Sequence, residues 1–199
     1  MTKKYYAVYK PYGMISQFSA SGDKPTLADL GIPEKDVYPL GRLDTDSEGL
    51  LILTNDKNLN NLLLNPRHKH WRTYWVQVDG AISREATEIL SKGVEIKINK
   101  KNFHTAPAQC RLLDIPPELP ERDPPIRFRK SIPAPWIELR LTEGKNRQVR
   151  KMTAKVGFPT LRLVRYAIED LNIAGMLPGD ISVLSKKEMS EKLHIPILA

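Results

Sequence analysis

Short apolar runs separated by polar turns dominate the first third of the chain, a pattern that predicts β-strands. Residues 5–9 (YYAVY) predict a strand that ends at the turn-forming sequence KPYG. Residues 50–54 (LLILT) are almost continuously apolar, which predicts a strand buried on both faces. A short amphipathic helix is predicted next, because Asn55 or Asp56 can cap its start and the sequence Asn65-Pro66 ends it.

Helices and strands alternate in the middle of the chain. A strand is predicted at residues 73–78, and Ser83 can cap a helix that ends at Gly93. Apolar residues then fall on alternate positions of 94–98, and the stretch 106–113 is again rich in apolar residues. We expect these two segments to form neighbouring antiparallel strands.

The last predicted elements surround a helix. Residues 137–141 alternate apolar and polar positions, which predicts a strand. Asn146 can cap a helix that reaches Val156, before residues 161–166 return to a strand pattern. Runs of strands with few helices predict an α+β fold, built on a mixed, largely antiparallel central sheet with a few flanking helices.

Residues 115–135 are rich in proline, which excludes a helix or an interior strand because proline lacks an N–H and fixes φ. We expect an inserted extended loop here. The composition leaves two interpretations open, a phosphate-binding loop and a solvated linker. The basic residues of this segment are Arg122, Arg127, Arg129 and Lys130.

The composition favours a folded protein with a polyanionic partner. Of the 199 residues, 41% are hydrophobic and 27% are charged, and 31 Lys and Arg against 23 Asp and Glu give a net charge of +8. Nucleic acid is the leading candidate for the partner, although net charge alone is equally consistent with a basic soluble surface. No apolar run approaches the roughly 20 residues that span a bilayer, and the start lacks a signal-peptide pattern, so we expect a cytoplasmic protein.

Two runs without acidic residues locate the positive charge along the chain. Residues 144–168 contain seven Lys and Arg, which predicts a basic face that binds phosphate groups. Residues 67–72 (RHKHWR) combine cations with an aromatic ring that can stack on a base, although a solvated loop fits this run equally well. The cations that we predict to contact nucleic acid are Arg67, Lys69, Arg72, Lys145, Arg147, Lys151, Arg162 and Arg165.

Three carboxylates crowd the loop before the second predicted strand: Asp44, Asp46 and Glu48. A calcium-binding loop is one interpretation, because these residues fall at the first, third and fifth positions of an EF-hand pattern. That pattern requires a bidentate Glu where this chain has Asn55, and a strand follows instead of further ligands. We therefore expect no metal site, and we favour the second interpretation, in which one carboxylate is a catalytic group.

Several motifs, in the same order along the chain, resemble those of one enzyme family. Residues 41–44 (GRLD) followed by 47–51 (SEGLL) closely resemble the signature loop of RsuA-type ribosomal RNA pseudouridine synthases. The likeness spans roughly residues 5–175. Its further parts are 72–74 (RTY), 143–152 (EGKNRQVRKM), Lys10-Pro11 with Gly13-Met14, and 161–163 (LRL) with Arg165.

Within that family the chain resembles the RluE subgroup, which acts on large-subunit ribosomal RNA. Two features support the subgroup: the chain starts directly with the catalytic strand, and it carries the Pro-rich insertion. We expect the separate N-terminal S4 domain of many relatives to be absent. The resemblance implies one catalytic domain with two interleaved lobes around a cleft, expected at about 1–65 with 136–168 and 66–135 with 169–199.

The resemblance also implies the reaction and its residues. It implies isomerisation of a specific uridine to pseudouridine in 23S large-subunit ribosomal RNA, with Asp44 as the catalytic carboxylate. Tyr74 corresponds to the family's active-site tyrosine, which can stack on the extruded uracil, and Arg150 corresponds to its basic residue beside the aspartate. We expect Arg42 to contact the RNA. We also expect no cofactor, no membrane partner and a monomer.

Two rival functions remain open. The first is a non-catalytic ribosome-assembly factor that binds ribosomal RNA, against which the presence of Asp44, Tyr74 and Arg150 argues. The second is a glycoside hydrolase or nucleosidase that uses two carboxylates, and the basic runs give no reason for such an enzyme. Salt-dependent RNA binding separates the hydrolase from the other two functions.

Overall fold

The structure is a computed structural model that describes residues 2–20, 22–126 and 129–196. The described residues form two compact units, the first from those within 2–70 and 165–196 and the second from those within 71–164. In chain order the elements are β1 (Tyr5–Lys10), β2 (Tyr38–Pro39), β3 (Glu48–Thr54), α1 (Lys57–Leu64), β4 (Arg72–Val78), α2 (Arg84–Lys92), β5 (Glu95–Ile98), β6 (Lys101–His104), β7 (Gln109–Leu113), β8 (Trp136–Leu141), α3 (Gln148–Lys155), β9 (Thr160–Ile168), β10 (Leu171–Asn172), β11 (Ile181–Leu184) and α4 (Lys186–Lys192), with 3₁₀ helices at Leu27–Leu30 and Pro66–His68.

Strand β1 is central to the strand pairing of the first unit. It pairs antiparallel with β3 on one side and with β11 on the other, so that Val8 lies opposite both Leu51 and Ile181. Every residue of β1 and of β3 is buried. Both apolar runs therefore correspond to strands that are covered on both faces, as predicted for residues 50–54, whereas for residues 5–9 only a strand was predicted.

One apolar core cluster of the first unit lies on one face of β1 and β3. Val8 and Leu51 stand opposite each other on that face, and Met14 and Leu27 pack against them. Thr26 starts the 3₁₀ helix by accepting a hydrogen bond from the Ala28 N–H at 3.3 Å, which brings Leu27 into the core. Met14 reaches this core from the segment that directly follows β1.

The second unit has its own set of paired strands and its own core cluster. Strand β8 pairs antiparallel with both β4 and β7, and β9 lies on the other side of β4. Tyr74 of β4 lies opposite Leu139 of β8. Helices α2 and α3 pack on the face of the sheet that carries Tyr74, because Leu90 and Met152 belong to the same core cluster.

The predicted α+β class is confirmed, as are two helix caps. Asp56 accepts a hydrogen bond from the Asn58 N–H at the start of α1, and Ser83 accepts one from the Ala86 N–H at the start of α2. Among the described residues, no helix has both the length and the apolar character that crossing a membrane requires.

The predicted cap of α3 is wrong. The residue before this helix is Arg147, with a left-handed backbone at φ 52°, and it makes no side-chain capping bond. The Gln148 side chain fixes the preceding turn by accepting a hydrogen bond from the Lys145 N–H at 2.9 Å. Asn146 therefore lies within the turn and does not cap the helix.

The predicted pairing of residues 94–98 with 106–113 is also wrong. Strand β5 forms a two-stranded hairpin with β6, whereas β7 pairs with β8. Asn99 and Lys100 return the chain at once, because both have positive φ angles, 47° and 66°. The sequence of β6 (KNFH) has Phe103 as its single apolar residue, so it gives almost no strand pattern.

The structure divides the chain differently from the predicted lobes. Residues 136–164 belong to the second unit, because β8 pairs with β4, and the described residues after 168 belong to the first, because β11 pairs with β1. Strand β9 runs from the second unit into the first. Spacing along the chain does not reveal which distant strands pair, so this division was not readable from the sequence.

The Pro-rich segment forms neither helix nor strand over its described residues, 115–126 and 129–135. Its last part is fixed to the end of β4, where the N–H groups of Val78 and Gly80 donate to the carbonyls of Pro135 and Pro133 at 3.0 and 2.9 Å. Ion pairing between Arg129 and Asp79 holds the same region. The predicted phosphate contact of Arg127 lies outside the described residues.

Candidate active site

The loop between β2 and β3 carries the candidate carboxylate, Asp44. Asp44 is partly exposed, whereas Leu43 before it and Ser47 after it are buried, at 7% and 1% exposure. The Ser47 N–H donates to the Asp44 carbonyl at 3.0 Å and closes the loop into a turn. The loop thus leaves the Asp44 side chain accessible while its surroundings are packed.

Gly49 allows β3 to begin directly after this loop. Its φ is +107°, and a Cβ built on it would lie 2.3 Å from the Arg165 carbonyl oxygen of β9. No side chain tolerates that distance, so any other residue would push the two backbones apart. The glycine of the SEGLL motif is therefore required by this close approach.

A second segment, residues 13–16, lies against the loop. The buried Ser16 Oγ donates to the Leu43 carbonyl at 2.8 Å and accepts from the Leu43 N–H at 3.1 Å. The Gly13 N–H donates to the Thr45 carbonyl at 2.8 Å. The residues immediately before and after Asp44 are therefore both hydrogen-bonded to this segment.

Three charged side chains close to the loop are buried. Lys10 has no exposed surface, and Glu48 and Arg165 are 2% and 5% exposed. The Lys10 Nζ donates to the carbonyls of Pro11 and Met14, each at 2.8 Å. Burial lowers the pKa of Lys10 to about 8, and the negative charge of Glu48 is the largest effect that opposes this shift.

Tyr74 belongs to the second unit, where packing holds its ring. It lies in β4, with 9% of its surface exposed, in the cluster that includes Val76, Leu139 and Met152. A ring in this setting keeps a fixed orientation and leaves a small part of its surface accessible. Tyr74 is therefore placed as a rigid group rather than a mobile surface side chain.

Arg150 also belongs to the second unit. It is partly exposed in the first turn of α3, a helix that buries Val149 and Met152 on its other side. The Arg150 Nη1 donates to the Thr160 carbonyl at 3.5 Å, the upper limit of a hydrogen bond. Asp44 thus belongs to one unit, and Tyr74 and Arg150 belong to the other.

The candidate RNA-binding cations differ in exposure. Arg162 and Arg165 are 6% and 5% exposed, and the Arg165 Nε donates to the Leu50 carbonyl at 2.8 Å. The exposed part of the predicted basic face therefore excludes these two residues, because they lie in the buried part of β9. The remaining candidates are exposed (Arg42, Arg67, Lys69, Lys145 and Arg147) or partly exposed (Arg72 and Lys151).

Sequence reasoning assigned no role to Lys10 and Ser16. Lys10 did leave a signal, because it ends an apolar strand (YYAVYK) and lysine is almost never fully buried without partners. Ser16 left none, since an isolated serine in a loop is ordinary. Its two hydrogen bonds to Leu43 become visible only when the fold brings residues 27 positions apart into contact.

Metal binding finds no support in the described part of the chain, where no group of three or more His, Cys, Asp or Glu side chains has a suitable arrangement. His70 pairs with Glu169, with 3.1 Å between Nδ1 and Oε1. Glu48, one member of the EF-hand-like pattern, is the first residue of β3 and is buried.

Comparison with known proteins identifies a family model and several relatives. Residues 4–155 match the model described as RNA pseudouridylate synthase. The chain is 54% identical over 171 residues to the ribosomal large subunit pseudouridine synthase E of Xanthomonas axonopodis pv. citri, which covers 85% of this chain and 87% of that protein. It is 51% identical over 170 residues to the protein of the same name from Vibrio parahaemolyticus, covering 85% and 69%. It is 33% identical over 187 residues to the ribosomal large subunit pseudouridine synthase B of Bacillus subtilis, covering 93% and 69%.

Solved structures show the same fold. One described as the crystal structure of pseudouridylate synthase aligns with a TM-score of 0.77 at 24% identity, covering 96% of this chain and 74% of that chain. Human RNA pseudouridylate synthase domain containing 1 aligns with a TM-score of 0.59 at 11% identity, covering 92% and 80%. At these identities the likeness concerns the fold alone.

Proposed function

We propose a substrate and a catalytic residue for this chain, which belongs to the RNA pseudouridylate synthase family. As a member of that family it is an isomerase that converts uridine in RNA to pseudouridine. We propose that its substrate is a specific uridine of 23S large-subunit ribosomal RNA, and that Asp44 is its catalytic carboxylate. The names of its relatives, which specify the ribosomal large subunit, support this substrate class.

The reaction requires little beyond one well-placed carboxylate. The N1–C1′ glycosidic bond breaks, the uracil turns, and C5 bonds to C1′. C5 then gives up its proton and N1 gains one, so atoms and electrons balance within the substrate. Asp44 acts in one of two ways: it attacks C1′ as glycosidase nucleophiles do, or it removes the 2′ proton to give a glycal. Both routes need the ionised carboxylate and regenerate it at the end.

The choice of Asp44 among the three acids of the loop rests on its combination of a partly exposed side chain and a restrained backbone. Glu48 is 2% exposed within β3, so a substrate cannot reach it without opening the strand. Asp44 and Asp46 are both partly exposed, but only Asp44 has both sequence neighbours, Leu43 and Thr45, hydrogen-bonded to segment 13–16 within the described structure. A catalytic group needs this kind of fixed and uncovered position.

We extend the proposal to Tyr74 and Arg150. The fixed ring of Tyr74 would stack on the extruded uracil, and its hydroxyl would hold or move a proton. The guanidinium of Arg150 would orient a carboxylate through paired hydrogen bonds. Their match to family motifs supports these roles. Arg150→Ala should abolish turnover with little loss of folding stability, and a fully active variant would remove Arg150 from the mechanism.

The exposed cations are proposed as the RNA-binding surface. Contacts to phosphate would supply affinity and register but little base specificity, so binding should weaken steeply with salt. Arg162 and Arg165 are buried and are left out of this surface. We further propose that the protein acts as a monomer in the cytoplasm without a cofactor. The proposed contact residues are Arg42, Arg67, Lys69, Arg72, Lys145, Arg147 and Lys151.

The test is pseudouridine formation on unmodified large-subunit ribosomal RNA, mapped chemically, with wild type and Asp44→Asn compared in metal-free buffer. We expect product from the wild type alone, because asparagine is close in shape but carries no negative charge. Bound RNA is measured in parallel, and Asp44→Asn should bind as tightly as the wild type.

Each other outcome has a distinct meaning. Product from both proteins would refute Asp44 as the essential carboxylate. Salt-sensitive binding without product from either protein would favour the non-catalytic assembly factor. Absence of binding would refute ribosomal RNA as the substrate.

A further inference from the structure

We propose that Ser16 is a positioning residue that fixes the backbone of Asp44 by acting through Leu43. This inference rests on the proposed role of Asp44. The Ser16 hydroxyl bonds both backbone groups of Leu43, the carbonyl at 2.8 Å and the N–H at 3.1 Å. One side chain therefore binds both backbone polar groups of the residue immediately before the catalytic residue.

The other side of Asp44 is held as well. The Gly13 N–H donates to the Thr45 carbonyl at 2.8 Å, and the Asp44 carbonyl itself accepts from the Ser47 N–H at 3.0 Å. The backbone of residues 43–45 is thus fixed at each residue. The side chain of Asp44 remains partly exposed, so the fixation does not cover the carboxylate.

Segment 13–16 is rigid enough to serve as a support. The buried Lys10 ammonium donates to the Met14 carbonyl at 2.8 Å, and Met14 packs in the core of the first unit. The Ile15 N–H donates to the Pro25 carbonyl at 2.8 Å. Because segment 13–16 is itself held in place, its hydrogen bonds restrain the Asp44 loop. A mobile segment would move together with the loop and would not restrain it.

Within the described structure, the hydrogen bonds of the Ser16 hydroxyl are both made to Leu43. Ser16 is 3% exposed, so its hydroxyl is buried and must find its partners within the protein. Both of its described partners belong to Leu43. Loss of the hydroxyl would leave the Leu43 N–H and carbonyl without this partner and would allow the loop to shift.

The test compares Ser16→Ala with Ser47→Ala. Both changes remove one buried hydroxyl close to Asp44, and Ser47 is 1% exposed. Among the described residues, the Ser47 Oγ has no hydrogen-bond partner, so its loss should change kcat less than about twofold. For Ser16→Ala we expect kcat to fall about 10- to 100-fold, the effect of a displacement near 1 Å at a catalytic group.

A kinetic split separates positioning from a general structural effect. The KM for RNA should stay within about twofold in Ser16→Ala, because the cations that bind phosphate are unchanged. The kcat is expressed per folded molecule, counted by RNA-binding stoichiometry, so partial unfolding does not lower it. A kcat within twofold of the wild type would overturn the proposal, as would equal losses in the two alanine variants.

Amide hydrogen exchange tests the restraint without any turnover. Exchange at Leu43 and at Gly13 should speed up at least about tenfold in Ser16→Ala and stay unchanged in Ser47→Ala. Unchanged exchange in Ser16→Ala would overturn the proposal even if the protein had a different activity. An inactive wild type would refute the proposed function alone, because the exchange result stands by itself.

A second variant covers the possibility that Ser16→Ala does not fold. Ser16→Cys keeps a weaker donor and acceptor at the same position, so it should show a smaller loss of kcat at unchanged KM. Wild-type kcat in a folded Ser16→Cys protein with faster exchange at Leu43 would overturn the proposal, because the restraint would then be lost without any loss of turnover.

Discussion

The charges around the Asp44 loop and the charges around α3 are placed in opposite ways. Lys10, Glu48 and Arg165 in the first unit are at most 5% exposed. Lys145 and Arg147, just before α3 in the second unit, are exposed. The protein shields the buried charges from solvent, whereas the exposed ones lie where a phosphate group can reach them. We therefore expect the same residue types to contribute to stability in the first region and, as proposed above, to RNA affinity in the second.

The largest expected effect concerns Glu48. Glu48→Gln keeps the shape of the side chain but removes the negative charge that most favours charged Lys10. Removing one partner from a buried charge network typically costs about 3–5 kcal/mol, so the free energy of unfolding in urea should fall by that order. The double variant Lys10→Met with Glu48→Gln should recover part of the loss.

Glu88 in α2 provides the matched control. It forms an i,i+4 ion pair with Arg84, and its side chain is 57% exposed. Glu88→Gln should change the free energy of unfolding by less than about 0.5 kcal/mol. Similar losses in Glu48→Gln and Glu88→Gln would mean that burial does not distinguish the two kinds of charge.

The second effect is a dependence of stability on pH. The pKa of Lys10 is lowered to about 8 in the folded protein, against about 10.4 in an unfolded chain. Between these values the unfolded state binds more protons, so the free energy of unfolding should rise with pH, by about 2–3 kcal/mol between pH 7.5 and 10 for this group. Urea unfolding from pH 7.5 to 10 measures the rise.

Lys10→Met is the control for this dependence. Methionine cannot titrate, so the rise between pH 8 and 10 should be absent. Burial also raises the pKa of Cys110, which opposes the rise above about pH 9 in both proteins, so the difference between them isolates Lys10. The range stops near pH 10 because burial raises the pKa of Tyr5 and Tyr6, which act in the same opposing direction at higher pH. A rise of equal size in Lys10→Met would assign it to another group.

The sequence was sufficient to predict the buried strands, but it was not sufficient to predict which charged residues are buried. Residues 5–9 and 50–54 were recognised as strands because nearly continuous apolar runs have few alternatives. Arg162 and Arg165 were placed on a basic face, because a charged residue looks the same in a sequence whether its strand is covered or open. Their burial depends on which strands lie beside β9, and no local pattern encodes that.

The same limit explains the elements that were missed. Strands β6 and β11 and the helix α4 have short sequences with weak patterns, and β11 is fixed by pairing with β1 at the other end of the chain. For the candidate site, the motif around Asp44 was sufficient to select the residue. The restraint by Ser16 was not visible, because it depends on a long-range contact made by a common side chain.

The third effect concerns the exposed cations. Lys145→Ala with Arg147→Ala should weaken RNA binding about tenfold and reduce the slope of log affinity against log salt by about 1 to 2. Stability should change little, since both side chains are exposed. Lys187→Ala with Lys192→Ala, two exposed cations of α4, removes the same net charge. An equal loss of affinity in that control would show that net charge, not position, determines binding.

The smallest effect is expected from the Pro-rich segment, where Arg122 and Arg129 are only partly exposed and bind other groups of the protein. Arg129 pairs with Asp79, and the Arg122 Nε donates to the Pro124 carbonyl at 2.7 Å. Deleting residues 116–131 should therefore weaken RNA affinity only about threefold, as expected for the loss of one or two phosphate contacts. The deletion retains Pro133 and Pro135, which hold the chain to the end of β4.

A charge-only variant separates the two interpretations of this segment. Arg122→Ser with Lys130→Ser keeps the length of the segment and removes two of its cations. If the segment contacts phosphate, this variant should reproduce most of the loss of affinity and lower the salt slope. If RNA affinity is unchanged in both the deletion and the charge-only variant, the segment is a solvated linker. Its exposed charges would then differ from those before α3 in position, because a cation contributes to binding only where the fold presents it to the RNA backbone.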